Sequence, residues 1–152
     1  MSQSTLLRST RRVVGKAMIS AVAVFAPLGG MAADWNETHV KNPNWPPHAK
    51  FPNGQTLAFA FELAGLSLWQ LWRPSTRPRS ALRWGTLFAS LYWAAQAPAI
   101  LLPGAALTDP EFSGQERRVA GIPANQLTMQ AVVLWPLLAA GYALAADRAT
   151  DR

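Results

Sequence analysis

The sequence predicts an all-α fold, a four-helix transmembrane bundle with a Pro- and Asn-rich outer loop after helix 1. Three observations predict it. Four apolar blocks, each close to a bilayer crossing in length, alternate with short polar connections. The blocks at 84–102 and 127–146 carry no charged residue, so neither has a face that could meet water around its circumference. Lys and Arg gather in alternate connections, the pattern that orients membrane helices. The mean hydropathy of only +0.06 hides this segregation of Arg and Pro from the apolar blocks. A single integral membrane domain over 1–152 is expected, with helices near 13–33, 55–72, 84–102 and 127–146 and outer loops at 34–54 and 103–126.

The first block, Val13 to Ala33, is apolar apart from Lys16 and Ser20. At 1.5 Å per residue it reaches roughly 30 Å, one hydrocarbon thickness. Lys16 lies near its start and can snorkel to the interface. A second reading stands beside the first. Arg8 to Lys16 forms a positive n-region, Ala17 to Pro27 an apolar h-region, and Gly30 to Ala33 a small-residue cleavage site, which together make a signal peptide. Thr10-Arg11-Arg12 followed by Lys16 has a trace of a twin-arginine signal. Either way, Asp34 onward emerges on the far side of the membrane.

Asp34 to Thr56 reads DWNETHVKNPNWPPHAKFPNGQT. It contains Pro43, Pro46, Pro47 and Pro52, and a density of Pro that breaks both helical and strand periods predicts a loop. Long ordered loops are often functional. The second block, Leu57 to Trp72, contains Glu62 and Gln70. The basic turn RPSTRPRSALR, Arg73 to Arg83, follows. Trp84 to Leu102 contains Gln96 and Pro98, and Leu127 to Ala146 contains Pro136. Ala89, Ser90, Ala139, Ala140 and Gly141 are small enough for close helix packing.

With both termini cytoplasmic, the inner side holds Arg8, Arg11, Arg12, Lys16, Arg73, Arg77, Arg79, Arg83, Arg148 and Arg152. The outer side holds only Lys41, Lys50, Arg117 and Arg118 of the 14 basic residues. Trp69, Trp72 and Trp84 then lie at the inner interface and Trp35 at the outer one, as aromatic belts do. A bacterial inner (plasma) membrane is the expected location, and both polar loops fall on one outer face. The net charge of +6 is explained by this topology, and nucleic acid is not an expected partner. The chain has no Cys, which excludes disulfides, thiolate metal sites and Cys nucleophiles.

Glu62 is the only acid inside an apolar block. A carboxylate there costs on the order of 3 kcal/mol on insertion scales and marks a proton or ligand site facing the bundle interior. The plainer alternative is an interfacial Glu, or one bonded to Gln96 or a loop donor. His39 and His48, with Asp34, are candidate metal ligands, although their spacing matches no compact metal motif. The same histidines are also a candidate acid–base pair with Glu62; otherwise they order the loop backbone. Trp45-Pro46-Pro47 reads as an extended turn with Trp45 as an interfacial anchor or packed on helix ends. Tyr92, Trp93 and Trp135 read as packing. GxGxxG, P-loop, GxSxG and HExxH patterns are absent from the chain, which lowers the expectation of an enzyme.

The run from Asp34 to Phe51, followed by Asn53-Gly54-Gln55-Thr56, resembles a family of uncharacterised small four-helix membrane proteins of bacteria and fungi. That family is marked by a loop of the form DxNxTH…NxxWPPHAxFHNGQ. The resemblance implies marked positions at Asp34, Asn36, Thr38, His39, Trp45, His48 and Gln55. Pro52 stands where the pattern has His, which weakens a metal site. Some relatives are labelled acetyltransferases, yet no acyl-carrier or CoA-binding feature is present here.

Three functions follow as expectations. The first is a membrane protein that binds or transports a small lipophilic or polar ligand under the outer loop, using Asp34, Asn36, His39, Trp45, His48, Gln55 and Glu62. The second is a membrane enzyme on a lipid-like substrate, an isomerase or acyl or acetyl transferase, with His39 or His48 as base and Glu62 as acid. The third is an accessory subunit. No cofactor is evident beyond the metal alternative. The lipid bilayer, a second copy of the chain or another membrane protein are the expected partners.

Overall fold

The computed structural model describes residues 2–108, 110–112, 114–115 and 118–146. The tail from Asp147 to Arg152, with Asp109, Glu116 and Arg117, lies outside the described residues. Four long helices dominate: α1 (Gln3–Asp34), α2 (Pro47–Trp72), α3 (Pro78–Ala99) and α4 (Gln126–Ala145). The all-α expectation holds. At 1.5 Å per residue each helix is about 30 Å long or more. By length and composition, α1 and α4 are apolar enough to cross a membrane.

The ends differ from the sequence expectation in instructive ways. Helix α1 begins ten residues before Val13, because nothing in the polar N-terminal stretch breaks a helix and Arg is a good helix former. Ser2 caps it, its side chain accepting from the Thr5 amide at 3.3 Å. The loop expected from Asp34 to Thr56 is shorter than the Pro density implied. Its second half is the start of α2: Pro47 takes the first helical position, where a missing N–H costs nothing. Pro52 forfeits only one bond, to His48, near an exposed end. Pro78 likewise opens α3 ahead of Trp84, and Pro98 lies one residue before its end.

The second polar loop, expected to lack regular structure, holds a one-turn 3-10 segment at Pro110–Phe112 and a two-stranded ladder, β1 (Arg118–Val119) against β2 (Ile122–Pro123). Its turn puts Ala120 and Gly121 at φ of 50° and 79°, the left-handed pair that tight hairpins require.

Helix α1 is the centre of the bundle. It packs on α2, α3 and α4, while α2 also packs on α3 and α3 meets α4 more lightly. Its buried side, Gly15, Ile19, Val22, Ala23 and Ala26, repeats at helical spacing. Trp93 of α3 closes the core, stacked on Phe25 at 5.8 Å and donating from Nε1 to the Val22 carbonyl at 3.4 Å. Small residues set the closest approaches. Helices α1 and α4 touch backbone to backbone at Gly15, Gly141 and Ala145. Helices α2 and α3 meet where Ser67 Oγ, fully buried, donates to the Gly85 carbonyl at 2.8 Å. Ala139 and Ala140, read as packing residues, are exposed; the helix face is set by Gly141 instead.

Helix α4 contains a π segment, Gln130–Leu134, in which the Trp135 amide bonds to the Gln130 carbonyl. Pro136 follows immediately. It lacks the amide that would bond to Val132, and its ring crowds that carbonyl. A local widening to i→i+5 bonding accommodates both effects.

Candidate functional site

The residues singled out between Asp34 and Thr56 fold into a clasp between the end of α1 and the start of α2. Asn36 organises its first half. Its Nδ2 donates to the Ala33 carbonyl at 2.7 Å, satisfying a bare carbonyl of α1. Its Oδ1 accepts from the Thr38 amide at 2.8 Å and from Thr38 Oγ1 at 2.6 Å. Thr38 has one hydroxyl hydrogen, so the 2.7 Å contact between its Oγ1 and His39 Nδ1 assigns the imidazole proton to Nδ1. The same ring meets Trp45 edge-on at 5.2 Å. Thus Trp45 packs on the loop's own histidine, a contact that neither of the two readings made for it had named.

Three bonds tie the clasp to its surroundings. Asn53 Nδ2 on α2 donates to Asp34 Oδ2 at 2.6 Å. Lys50 Nζ donates to the Val40 carbonyl at 2.9 Å. Asn42, buried, donates from Nδ2 to Glu111 Oε1 in the second loop at 2.7 Å, so both polar loops sit at one end of the bundle. We expect Asn36→Ala to lower stability by about 1–2 kcal/mol, as lost caps do. Asn36→Asp, which keeps the acceptor and loses the donor, should cost roughly half as much. Thermal unfolding of the two purified variants in detergent measures the difference, and equal melting points would show that the clasp bonds do not hold the loop.

Beneath the clasp a groove of about 590 Å³ opens between α2 and α3. Gln55, Thr56, Glu62, Tyr92 and Gln96 supply its polar groups; Phe59, Ala58, Ala95 and Ala99 are its apolar wall. Its size and mixed lining are typical of small-molecule sites. Glu62, expected to face the bundle interior, is exposed and lines this open groove. Gln96 does not bond to it. Instead, Gln96 Oε1 accepts from Gln130 Nε2 at 2.5 Å, and its side chain lies beside the Tyr92 hydroxyl. Asp34 lies near enough to Tyr92 to act on it electrostatically. A polar seam of two bonded pairs therefore draws on all four helices, Asn53 with Asp34 and Gln96 with Gln130, with Tyr92 near Asp34 and Gln96.

The structure brings Gln55 and Glu62 to the groove and leaves His39 and Trp45 in the clasp. His48 is exposed on the first turn of α2, and neither histidine lines the groove. Among the described residues no three His, Asp or Glu side chains come together as a metal-ligand set. Asp34, His39 and His48 are therefore not assembled as ligands: Asp34 is engaged by Asn53 and His39 by Thr38.

The sequence reading gave Tyr92 to packing and passed over Gln130. A signal for both existed. An amide in a chargeless apolar block needs a partner, and Gln96 and Gln130 are the two amides that the third and fourth blocks contain.

Fold and site together define a small, mostly helical protein with an open groove of mixed polar and apolar lining at one end of its bundle. The chain belongs to a family of unknown function, DUF6640, whose family model matches residues 18–152. That span takes in most of α1, the clasp, the groove and the whole seam. No curated protein and no solved structure matches the chain.

Proposed function

We propose that the protein spans a membrane four times, with both termini on the cytoplasmic side of a bacterial inner membrane, and binds a small amphiphilic ligand in the groove between α2 and α3. The single observation that carries the binding reading is the groove's composition: five polar side chains over an apolar wall, where the other exposed residues of 57–72 and 84–99 are apolar. The spanning reading is supported by how little of α1 and α4 the bundle covers. Only 33% of the apolar window of α1 and 22% of that of α4 is buried, whereas a core helix of a water-soluble protein is largely buried. Phe59, Phe61, Leu87, Val132 and Val133 are all exposed, and an apolar surface this extensive needs a lipid or protein cover. The central place of α1 in the core supports a resident helix over a cleaved leader.

The enzyme reading needs a histidine and Glu62 at one place. The separation of both histidines from the groove lining favours binding over an isomerase or acetyl transferase. Gln55, Thr56, Glu62, Tyr92 and Gln96 are the contacts we assign to the ligand. Asp34, Asn36, His39, Trp45 and His48 belong to the clasp above it.

The absence of Cys makes the test clean. In intact cells a membrane-impermeant maleimide should label Lys41→Cys and leave Ser75→Cys unlabelled; equal labelling would end the topology. For binding, Ala95→Trp fills the groove, while Ala139→Trp faces outward as a control. Organic extracts of purified protein should contain a co-purified amphiphile in wild type and control. The Ala95→Trp protein should hold at least about tenfold less, a difference of ~1.4 kcal/mol. Equal content in all three would remove the groove as the binding site.

A further inference from the structure

A second site lies at the opposite end of the bundle from the clasp. Where α1, the end of α2 and the start of α3 converge, a small cavity of about 40 Å³ is lined by Arg12, Lys16, Gln70, Arg73 and Ser75. It has room for roughly three water-sized groups, enough for a compact head and too little for a bulky one. Arg12 and Lys16 are one helical turn apart on α1, a like-charge pair that repels unless something neutralises it. Arg73 enters from α2. Among the described residues the acids are Asp34, Glu37, Glu62 and Glu111, and none of them lines this cavity.

The cations are positioned. Arg73 donates from Nε and Nη2 to Gln70 Oε1 at 3.2 and 2.9 Å, and its guanidinium lies 4.4 Å from the Trp69 ring centre. Two of its five N–H donors are thereby used and the rest remain to bond a ligand. Lys16 Nζ sits 5.3 Å from the Trp72 ring centre, and Trp72 Nε1 is itself fixed by a 3.0 Å bond to Ser20 Oγ. Aromatic faces hold a cation without neutralising it. The result is a preformed pocket with three positive charges, several spare donors and two flanking tryptophans of the kind that sit at headgroup level.

We propose that this pocket binds the phosphate of an anionic membrane lipid, a single headgroup seated between Lys16 and Arg73 with its acyl chains along α1 and α2. A basic pocket between helices at the cytoplasmic interface is the arrangement that recognises such heads. The proposal rests on the membrane reading above but not on the groove. Free phosphate shares the headgroup chemistry, so the experiment separates the two sources.

Detergent-purified full-length protein is titrated with phosphatidylglycerol, phosphatidylcholine or inorganic phosphate, and bound lipid is read by native mass spectrometry. Wild type should retain one phosphatidylglycerol about thirtyfold more tightly than phosphatidylcholine, the effect of two well-placed cations. Lys16→Gln/Arg73→Gln should lose that preference while keeping its weak phosphatidylcholine binding, which also reports that it is folded. Lys41→Gln/Arg118→Gln, with the same loss of charge at the other end, should keep the preference, as should Ala95→Trp with its groove filled. Wild type with no preference for the anionic lipid would overturn the proposal without touching the groove or the topology. Full displacement of phosphatidylglycerol by millimolar inorganic phosphate would overturn the lipid assignment.

Discussion

Replacing Gly15 with valine should cost about 3 kcal/mol or more and leave little folded protein in mild detergent. The reason is the crossing of α1 and α4. A Cβ placed on Gly15 would lie 2.6 Å from the Ala145 amide nitrogen and closer still to the Gly141 carbonyl oxygen. Both neighbours are backbone, which cannot rotate aside as a side chain can, so the helices must separate. Separation loosens the core cluster that Ile19, Leu134 and Leu138 share, and overpacking of this kind costs about 1–3 kcal/mol even before neighbouring contacts are lost. In a bilayer the loss weighs more heavily, because close packing replaces the hydrophobic drive between helices.

Gly15→Ala should show the same effect in smaller measure, and Gly141→Ala should resemble it, since its Cβ would meet the Gly15 carbonyl at 2.9 Å. The control is Gly65→Ala in α2, where a Cβ meets nothing within 4 Å. It should be neutral or stabilising by up to about 1 kcal/mol, the usual gain from alanine in a helix. Unfolding in mixed micelles, followed by tryptophan fluorescence, compares the series. If Gly15→Val and Gly65→Ala unfold at the same denaturant fraction, the α1–α4 contact is not the one described.

Hydrophobic patterning made the four helices legible because nothing in the sequence competes with them. Helix α4 is the clearest case: an uncharged block preceded by Asn125, whose side chain accepts from the Thr128 amide at 2.9 Å. The misread start of α2 has a single cause. Proline was weighed as a breaker at Pro46, Pro47 and Pro52, but position within a helix decides its effect, and at the first turn it promotes one. The clasp was legible as a cluster of Asn, His, Thr and Asp residues, though not as a set of bonds, because bonds such as Asn42 to Glu111 or Asn53 to Asp34 depend on the tertiary path. Glu62 was found by its rarity and misplaced in orientation, since a helix with so little amphipathic contrast does not declare which side faces inward. The polar seam was missed because Gln96 and Gln130 lie 34 residues apart in sequence and pair only where α3 and α4 meet. The cation pocket was visible only as a charge bias: Lys16 and Arg73 lie far apart in sequence and meet only where α1 and α2 cross.

The seam itself is open to a direct measurement, and the double-mutant cycle between Gln96 and Gln130 is the decisive one. Gln130 is 3% exposed and its amide donates to Gln96, whose side chain lies beside Tyr92. Gln130→Leu removes the donor and sets an apolar side chain against the Gln96 carbonyl, leaving that acceptor without its partner. The expected loss is about 1–3 kcal/mol, the cost of an orphaned buried polar group. Gln96→Leu should lose a similar amount, because it strands Gln130 in turn. The double variant leaves neither amide stranded, so it should be less destabilised than the sum of the two, by a coupling of about 0.6–1.7 kcal/mol, from the average to the maximum found for hydrogen bonds between membrane helices. Additive losses would mean that the two amides do not depend on each other. The same cycle bears on function. Gln96 lines the groove and Gln130 does not, so Gln130→Leu changes the groove only by freeing Gln96 and Tyr92 to turn. Weaker amphiphile retention in Gln130→Leu, restored by neither partner change, would make the seam the element that orients the groove's polar lining. Unchanged retention would confine Gln130 to holding α3 and α4 together.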